Sequence, residues 1–276
     1  MGMQINTNLA ANNTYRNLNS TQNDLSKSLE KLSSGLRINR AADDAAGLAI
    51  SEGLRSQVGG LTVAARNAQD GISVVQTAEG ALTEVHSILQ RVRDLAVQSG
   101  NDSNNADART AIKTEVDALG DELTRIGNST NFNGINLLDG SADLTFQVGA
   151  GSTAANDQIG VDLTASNIAT LGTTVKGLSF DSSANALLTV AALDTEIKAV
   201  STTRSELGAV QNRFEHSIAA TNVAKENLTA AQSRIRDVDM AEEMVKYTRS
   251  NILSQAGTAM LAQANQSTQG VLSLLR

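Results

Sequence analysis

Apolar residues recur every three to four positions along both ends of this 276-residue chain, and only the middle departs from that spacing. The spacing matches the 3.6 residues of an α-helical turn and gives each helix an apolar stripe that another helix must cover. The chain contains no proline, the residue that interrupts helix interiors, so long unbroken helices are allowed. We predict a mainly α protein whose two ends form a long antiparallel helical bundle or coiled coil.

Composition limits the possible functions. Aromatic residues make up 2% of the chain, so the core must be built from aliphatic residues, which favours helix bundles over a protein with a substrate pocket. The absence of cysteine removes disulfides and thiolate chemistry. A formal net charge of -7 argues against nonspecific binding to nucleic acid or to anionic membranes. No run approaches the roughly 20 apolar residues of a membrane span, and residues 1–8 do not read as a cleaved signal peptide.

The two terminal segments carry seven-residue repeats. Leu18, Leu25 and Leu32 are seven apart, with Leu29 between them, and this heptad pattern requires a partner helix. The other positions of this arm are mostly Asn, Ser, Thr and Gln, so the arm alone would be marginally stable. Near the other end, Val245, Ile252 and Ala259 are also seven apart. We expect the two arms to pair, with these rows forming the seam.

Between the arms the pattern changes twice. A second helix is predicted from about Asp44 to about Ser99, with glycines inside it that mark close packing or bends, and a third follows a Gly/Asn/Ser turn. Alternating apolar residues then predict a small β-hairpin in the region near 141–190, within which residues 165–190 are polar and weakly patterned. Helical spacing returns from Leu193 to Ile235.

No residue pattern indicates catalysis. His86 and His216 are isolated, and neither has the spacing of a metal site. Paired carboxylates such as Asp121-Glu122 can serve acid–base chemistry, but solvated helix faces produce the same pairs. We predict that the protein is not an enzyme and has no catalytic, cofactor-binding or metal-binding residues.

Several short motifs in order resemble those of bacterial flagellin, the subunit of the flagellar filament. They lie in both terminal halves, at 5–8, 32–39, 41–47, 70–73, 89–98, 207–213 and 271–276. The resemblance implies an inner coiled-coil domain formed by residues 1–42 and 237–276, and a helical domain over 43–236 that contains the hairpin region. The middle is too short for the outer variable domains of larger flagellins.

The resemblance also implies the function and the partners. Such a chain self-assembles into the helical tubular filament outside the bacterial cell and supports swimming. It is exported through the flagellar type III channel without a cleaved signal peptide. Its partners would be further copies of itself, an export chaperone, the filament cap and the hook–filament junction proteins, and a vertebrate Toll-like receptor. Neither nucleic acid, membrane insertion nor a cofactor is expected.

Three groups of residues are predicted to contact partners. The first two mediate assembly: Ile5, Leu9, Leu18, Leu25, Leu29 and Leu32 in the N-terminal arm, and Val245, Ile252, Ala259, Leu272, Leu274 and Leu275 in the C-terminal arm. A helical wheel gives the second helix a core stripe of Leu82, Val85, Leu89, Val92 and Ala96. It places Ile88, Arg91 and Leu95 on a flank beside that stripe, where they would contact a neighbouring subunit unless the flank is an ordinary amphipathic helix edge. The third group is the surface that the resemblance implies for the receptor: Gln90, Arg91, Leu95 and, on the next helix, Glu115.

The terminal segments, taken without the middle of the chain, are compatible with three alternative functions. A hook–filament junction protein shares such ends and polymerises only as a thin ring. An exported enzyme or adhesin would need a longer middle, and a cytosolic coiled-coil scaffold would be stable as a dimer without forming a tube.

Overall fold

The structure, a computed structural model, describes residues 8–274, with side chains described as far as residue 266. The mainly α prediction is confirmed, with long helices from both ends packing together and small antiparallel hairpins in the middle. The elements of the described residues are, in chain order, α1 Leu9–Ser34, α2 Ala45–Ser99, α3 Ala106–Ser129, β1 Asn131–Phe132, β2 Ile135–Asn136, β3 Asp143–Gln147, α4 Ala154–Asp157, β4 Gln158–Asp162, α5 Ile168–Lys176, α6 Ser183–Arg236 and α7 Met240–Leu274.

Polar side chains and glycine set the helix ends. The Asn8 side chain accepts a hydrogen bond from the Ala11 backbone N–H at the start of α1, and Asp44 accepts one from Gly47 at the start of α2. Such side chains satisfy backbone donors that have no partner in the first helical turn. The first helix ends at Gly35, whose φ of 72° lies in the left-handed region that glycine adopts at low cost.

The chain divides into two compact units, and each is described by itself. Unit 1 contains the described residues up to Ser56 and from Asn227 onward, and unit 2 contains residues 57–226. The two units differ in charge. The sequence of unit 1 holds eleven Lys or Arg and nine Asp or Glu, a net of +2, whereas unit 2 holds eleven and twenty, a net of -9.

In unit 1, α1 packs antiparallel to α7. The Asn8 amide donates to the Ala264 carbonyl oxygen, Leu18 lies opposite Gly257, and Leu36 forms a bridge with Asp237. Because residue numbers fall along one helix as they rise along the other, the two helices run in opposite directions. The expected pairing of the two arms is therefore observed.

The core of unit 2 lies between α2, α3, α5, α6 and the hairpin of β3 and β4. The predicted stripe of α2 is fully buried, and it consists of Leu82, Val85, Leu89, Val92 and Ala96. One helical glycine in α2 has a clear packing role, because a Cβ at Gly71 would lie 2.6 Å from the ring of Phe214. Phe214 in turn meets Phe146 edge to face, with ring centroids 5.6 Å apart. Gly71 marks close packing rather than a bend, since α2 continues through it.

The predicted hairpin is formed by β3 and β4, which pair antiparallel from Asp143 opposite Asp162 to Gln147 opposite Gln158. A shorter hairpin of β1 and β2, which the sequence did not predict, precedes it at residues 131–136. Helix α5 lies within residues 165–190, whose weak pattern does not predict a helix. Its Asn167 cap and the buried row Ile168, Leu171 and Val175 carry the helical signal that the longer polar context obscured.

Candidate assembly surfaces

The seam between α1 and α7 places leucines of α1 against a face of α7 that includes several small residues. Leu18, Leu25 and Leu32 of α1 are half-buried along this seam, as the heptad predicted. The face of α7 that is half-buried or buried runs through Glu243, Tyr247, Ser250, Ser254, Gly257, Leu261 and Ala264. A Cβ at Gly257 would lie 3.2 Å from Leu18 Cδ1, so the absence of a side chain there lets the leucine approach.

The row Val245, Ile252 and Ala259 does not form this seam, so that part of the prediction was wrong. All three side chains are exposed within the chain, because α7 turns its small-residue face toward α1. With their apolar neighbours they leave a continuous stripe of α7 uncovered. We call five of the large exposed apolar side chains of this helix the apolar row: Met244, Val245, Ile252, Leu253 and Met260.

A shallow groove of about 450 Å³ runs along the apolar row. Its lining residues are Met244, Val245, Thr248, Arg249, Ile252 and Leu253, and the surface that they expose in the groove is mostly apolar. Contiguous exposed apolar surface of this kind is typical of a protein–protein contact. The N-terminal arm adds exposed apolar side chains of its own, since Leu9, Tyr15 and Leu29 also point away from the seam.

Charged side chains border the apolar row on the side of α1. A polar groove of about 380 Å³ there is lined by Lys27 and Lys31 of α1 and by Lys246 and Arg249 of α7, with Asp24 and the buried Glu243. The Glu242 carboxylate accepts a hydrogen bond from Lys246 at 2.8 Å and raises the pKa of that lysine above its usual value. The lining of this groove carries four basic side chains and two acidic ones.

The predicted residues nearest the chain ends are only partly described. Ile5 and Leu275 lie outside the described residues. Leu272 and Leu274 belong to α7, whose backbone is described there, but their side chains lie outside the described ones. Their proposed contribution to assembly stays a prediction.

Three of the four residues predicted for the receptor surface of unit 2 have side chains at the surface: Gln90 and Arg91 on α2, and Glu115 on α3. Gln90 and Arg91 are exposed, and both Arg91 Nε and Nη2 donate to the same Glu115 oxygen, at 2.8 and 2.7 Å, which joins α2 to α3. Gln90 also contacts His86, with 2.9 Å between Nε2 atoms.

Leu95 differs from the expectation for this flank, because it is only 2% exposed and belongs to the core of unit 2. Helix α2 is covered on two sides, by α3 through Arg91 and by α6 through the 2.6 Å ion pair of Arg93 with Asp194. This double contact buries a wider arc of α2 than the single stripe of the helical wheel. Leu95 therefore supports the flank from beneath and does not present a side chain on it.

Chemical sites are not apparent in the described part of the chain. No group of three or more His, Cys, Asp or Glu side chains there could hold a metal ion. None of the described helices combines the length and the apolar character that crossing a membrane requires.

Known proteins match both ends of the chain and its full length. Residues 5–143 match the family model of the bacterial flagellin N-terminal helical region, and residues 190–275 match that of the bacterial flagellin C-terminal helical region. The chain is 54% identical over 275 residues to a flagellin of Halalkalibacterium halodurans, which covers 99% of this chain and 100% of that protein. It is 49% identical over 310 residues to a flagellin of Bacillus subtilis. It is 47% identical over 289 residues to a flagellar filament 33 kDa core protein of Treponema phagedenis. Each of these two matches covers 99% of this chain and 100% of the other protein.

One solved structure adds a likeness in fold. A flagellar hook-associated protein from Vibrio parahaemolyticus matches with a TM-score of 0.57 over 71% of this chain and 100% of that chain, at 16% identity. Identity this low shows a shared fold alone, so the alternative of a junction protein gains no support from it. The chain, matched over its whole length, therefore belongs to the bacterial flagellin family, whose members are structural proteins of the flagellar filament and not enzymes.

Proposed function

We propose that copies of this chain build the extracellular flagellar filament by packing the apolar row of α7 against neighbouring copies. The supporting observation is that α1 and α7 bury one face of each helix against the other, while the apolar row of α7 stays exposed. Burial of apolar surface is the main favourable term in most protein association. The exposed Leu9, Tyr15 and Leu29 of α1, together with Ile5, Leu272, Leu274 and Leu275, extend the same contact.

The domain limits suggested by the sequence belong to this proposal. An inner domain of residues 1–42 and 237–276 would carry the self-association surfaces, and residues 43–236 would form the outer helical domain, without an outer variable domain. The compact units, which divide after Ser56 and Glu226, are compatible with an arm-based inner region.

A truncation tests the role of the C-terminal arm. Deleting residues 270–276 should abolish seeded filament growth seen by electron microscopy. Far-ultraviolet circular dichroism should still report a folded chain, because the core of unit 2 lies far from this segment in sequence. Filaments of normal length from the truncated chain would overturn the proposal.

Partners other than the chain itself follow from the family resemblance. We propose an export chaperone that covers the C-terminal arm, the filament cap and the hook–filament junction proteins, and export without a cleaved signal peptide. The exposed apolar row supports a chaperone, since an uncovered stripe of this kind favours premature association.

A vertebrate Toll-like receptor is a further proposed partner, at the surface formed by Gln90, Arg91 and Glu115. Arg91 is the residue to test, because its guanidinium is exposed and joins two helices of that surface. Arg91→Ala should lower signalling in receptor-expressing reporter cells, while Arg125→Ala, which removes an exposed arginine paired with Glu122, serves as the matched control. Unchanged potency of Arg91→Ala would exclude this surface as the receptor site.

A further inference from the structure

The turn between β1 and β2 contains the one asparagine of the chain that is followed by glycine, Asn133-Gly134. Both residues have positive φ, 51° at Asn133 and 79° at Gly134, which is the backbone of a two-residue type I′ turn. Asn133 is the one non-glycine residue with positive φ among the described residues. The turn therefore places a chemically reactive dipeptide at the tip of a hairpin.

Little shields this dipeptide. Asn133 and Gly134 are both exposed, and the Asn133 side chain has no hydrogen-bond partner among the described residues. Even a Cβ added at Gly134 would meet no atom within 4 Å. The strands pair only at Asn131 with Asn136 and at Phe132 with Ile135. A hydrogen bond from the Leu137 N–H to the Thr130 carbonyl oxygen and the packing of Phe132 on the core hold the base of the hairpin, so the tip alone is open to solvent.

We propose that Asn133 is a site of spontaneous deamidation in the folded subunit. The backbone nitrogen of Gly134 loses its proton to solvent and attacks Cγ of Asn133. A bond forms between these two atoms, the bond from Cγ to Nδ2 breaks, and ammonia leaves with a proton from solvent. Water then opens the resulting five-membered imide at one of its two carbonyl carbons. Opening at Cγ gives aspartate and opening at the main-chain carbonyl carbon gives isoaspartate, so each site consumes one water and releases one ammonia.

Both products change unit 2. Each adds a negative charge to a unit whose sequence already carries a net charge of -9. Isoaspartate also lengthens the main chain by one carbon within a two-residue turn, which strand β2 separates from the fully buried Leu137 and Leu138. The reaction does not depend on the assembly surface proposed above, so either proposal can fail without the other.

The test uses the full-length chain, incubated folded in buffers from mildly acidic to mildly alkaline. Peptide mapping by mass spectrometry and labelling with an isoaspartyl methyltransferase measure the products. We expect aspartate and isoaspartate to accumulate at position 133, faster at higher pH because the attacking nitrogen must lose its proton. Asn128, followed by Ser129 within α3, should stay intact.

Asn133→Gly is the matched variant, because Gly-Gly suits a type I′ turn and removes the reactive amide. It should lose the isoaspartate label at this position while keeping the circular dichroism spectrum of the unmodified chain. The proposal is overturned if Asn133 stays intact in the folded chain and reacts only in urea, or if Asn133→Gly labels as strongly as the unmodified chain.

Discussion

Replacing Ile252 by Ser should weaken filament assembly without weakening the fold of the subunit. Ile252 lies in the centre of the apolar row and is 61% exposed in the chain, so its remaining surface is available for a neighbouring copy. Full burial of an isoleucine side chain stabilises by about 1.5–3 kcal/mol, and this exposed share corresponds to roughly 1–2 kcal/mol per contact. A loss of that size changes an equilibrium constant by about 5- to 30-fold.

The assay is the critical concentration for seeded polymerisation, measured by sedimentation. Ile252→Ser should raise it by about 5- to 30-fold, and Ile252→Val, which removes one methylene, by about twofold. The thermal midpoint of the monomer should stay close to that of the unmodified chain, since Ser and Ile have similar helix propensities and the side chain is exposed.

Val223→Ser is the matched control. Val223 is 60% exposed on α6 in unit 2, so it offers a similar apolar side chain outside the apolar row. If Ile252→Ser leaves the critical concentration unchanged, or if Val223→Ser raises it equally, the apolar row has no special role in assembly.

Two further results follow from charge. Because unit 2 carries a net charge of -9, the critical concentration should fall as sodium chloride is raised from low to physiological strength, where charges separated by more than about 8 Å are largely screened; assembly equally efficient at low salt would exclude this repulsion. In unit 1, the backbone N–H groups of Arg40 and Asn39 donate to the Asp43 carboxylate and lower its pKa. A lowered pKa gives stability that is present above the ordinary aspartate value and is lost as pH falls through the folded value. The difference in thermal midpoint between the unmodified chain and Asp43→Asn should therefore shrink in acid, and a pH-independent difference would contradict this.

The sequence predicted correctly that the two arms pair, but it did not predict which face of α7 contacts α1. The leucine heptad of α1 stands out among polar residues, so its seam could be read directly. The opposite face of α7 mixes Ser, Gly and Ala with Glu243, Tyr247 and Leu261, so it has no regular apolar spacing. Gly257 matters there because it has no side chain and lets Leu18 approach. A stripe of Val and Ile therefore looked like the seam, although in the folded chain it is the exposed surface.

Which side chains of α2 are buried in unit 2 depends on the helices packed beside it, and a helical wheel of α2 alone does not include them. The wheel placed the core stripe of α2 correctly, because those residues meet the core whatever lies beside it. It left Leu95 on a flank, since the position of α3 is set by tertiary packing and by the link from Arg91 to Glu115. Helix α5 was missed for a related reason, because a nine-residue helix gives only two turns of signal.

The proposed assembly surface is tested most directly by asking whether the apolar row becomes inaccessible to solvent on assembly. The natural chain has no cysteine, so a single Thr248→Cys substitution places one thiol in the groove beside Ile252. A maleimide reagent should modify this thiol rapidly in the monomer and far more slowly in filaments, while a Ser103→Cys control in the exposed turn after α2 should react in both states. Equal reactivity of Thr248→Cys in monomers and filaments would contradict the account, because the surface proposed to join the copies would still be open to solvent.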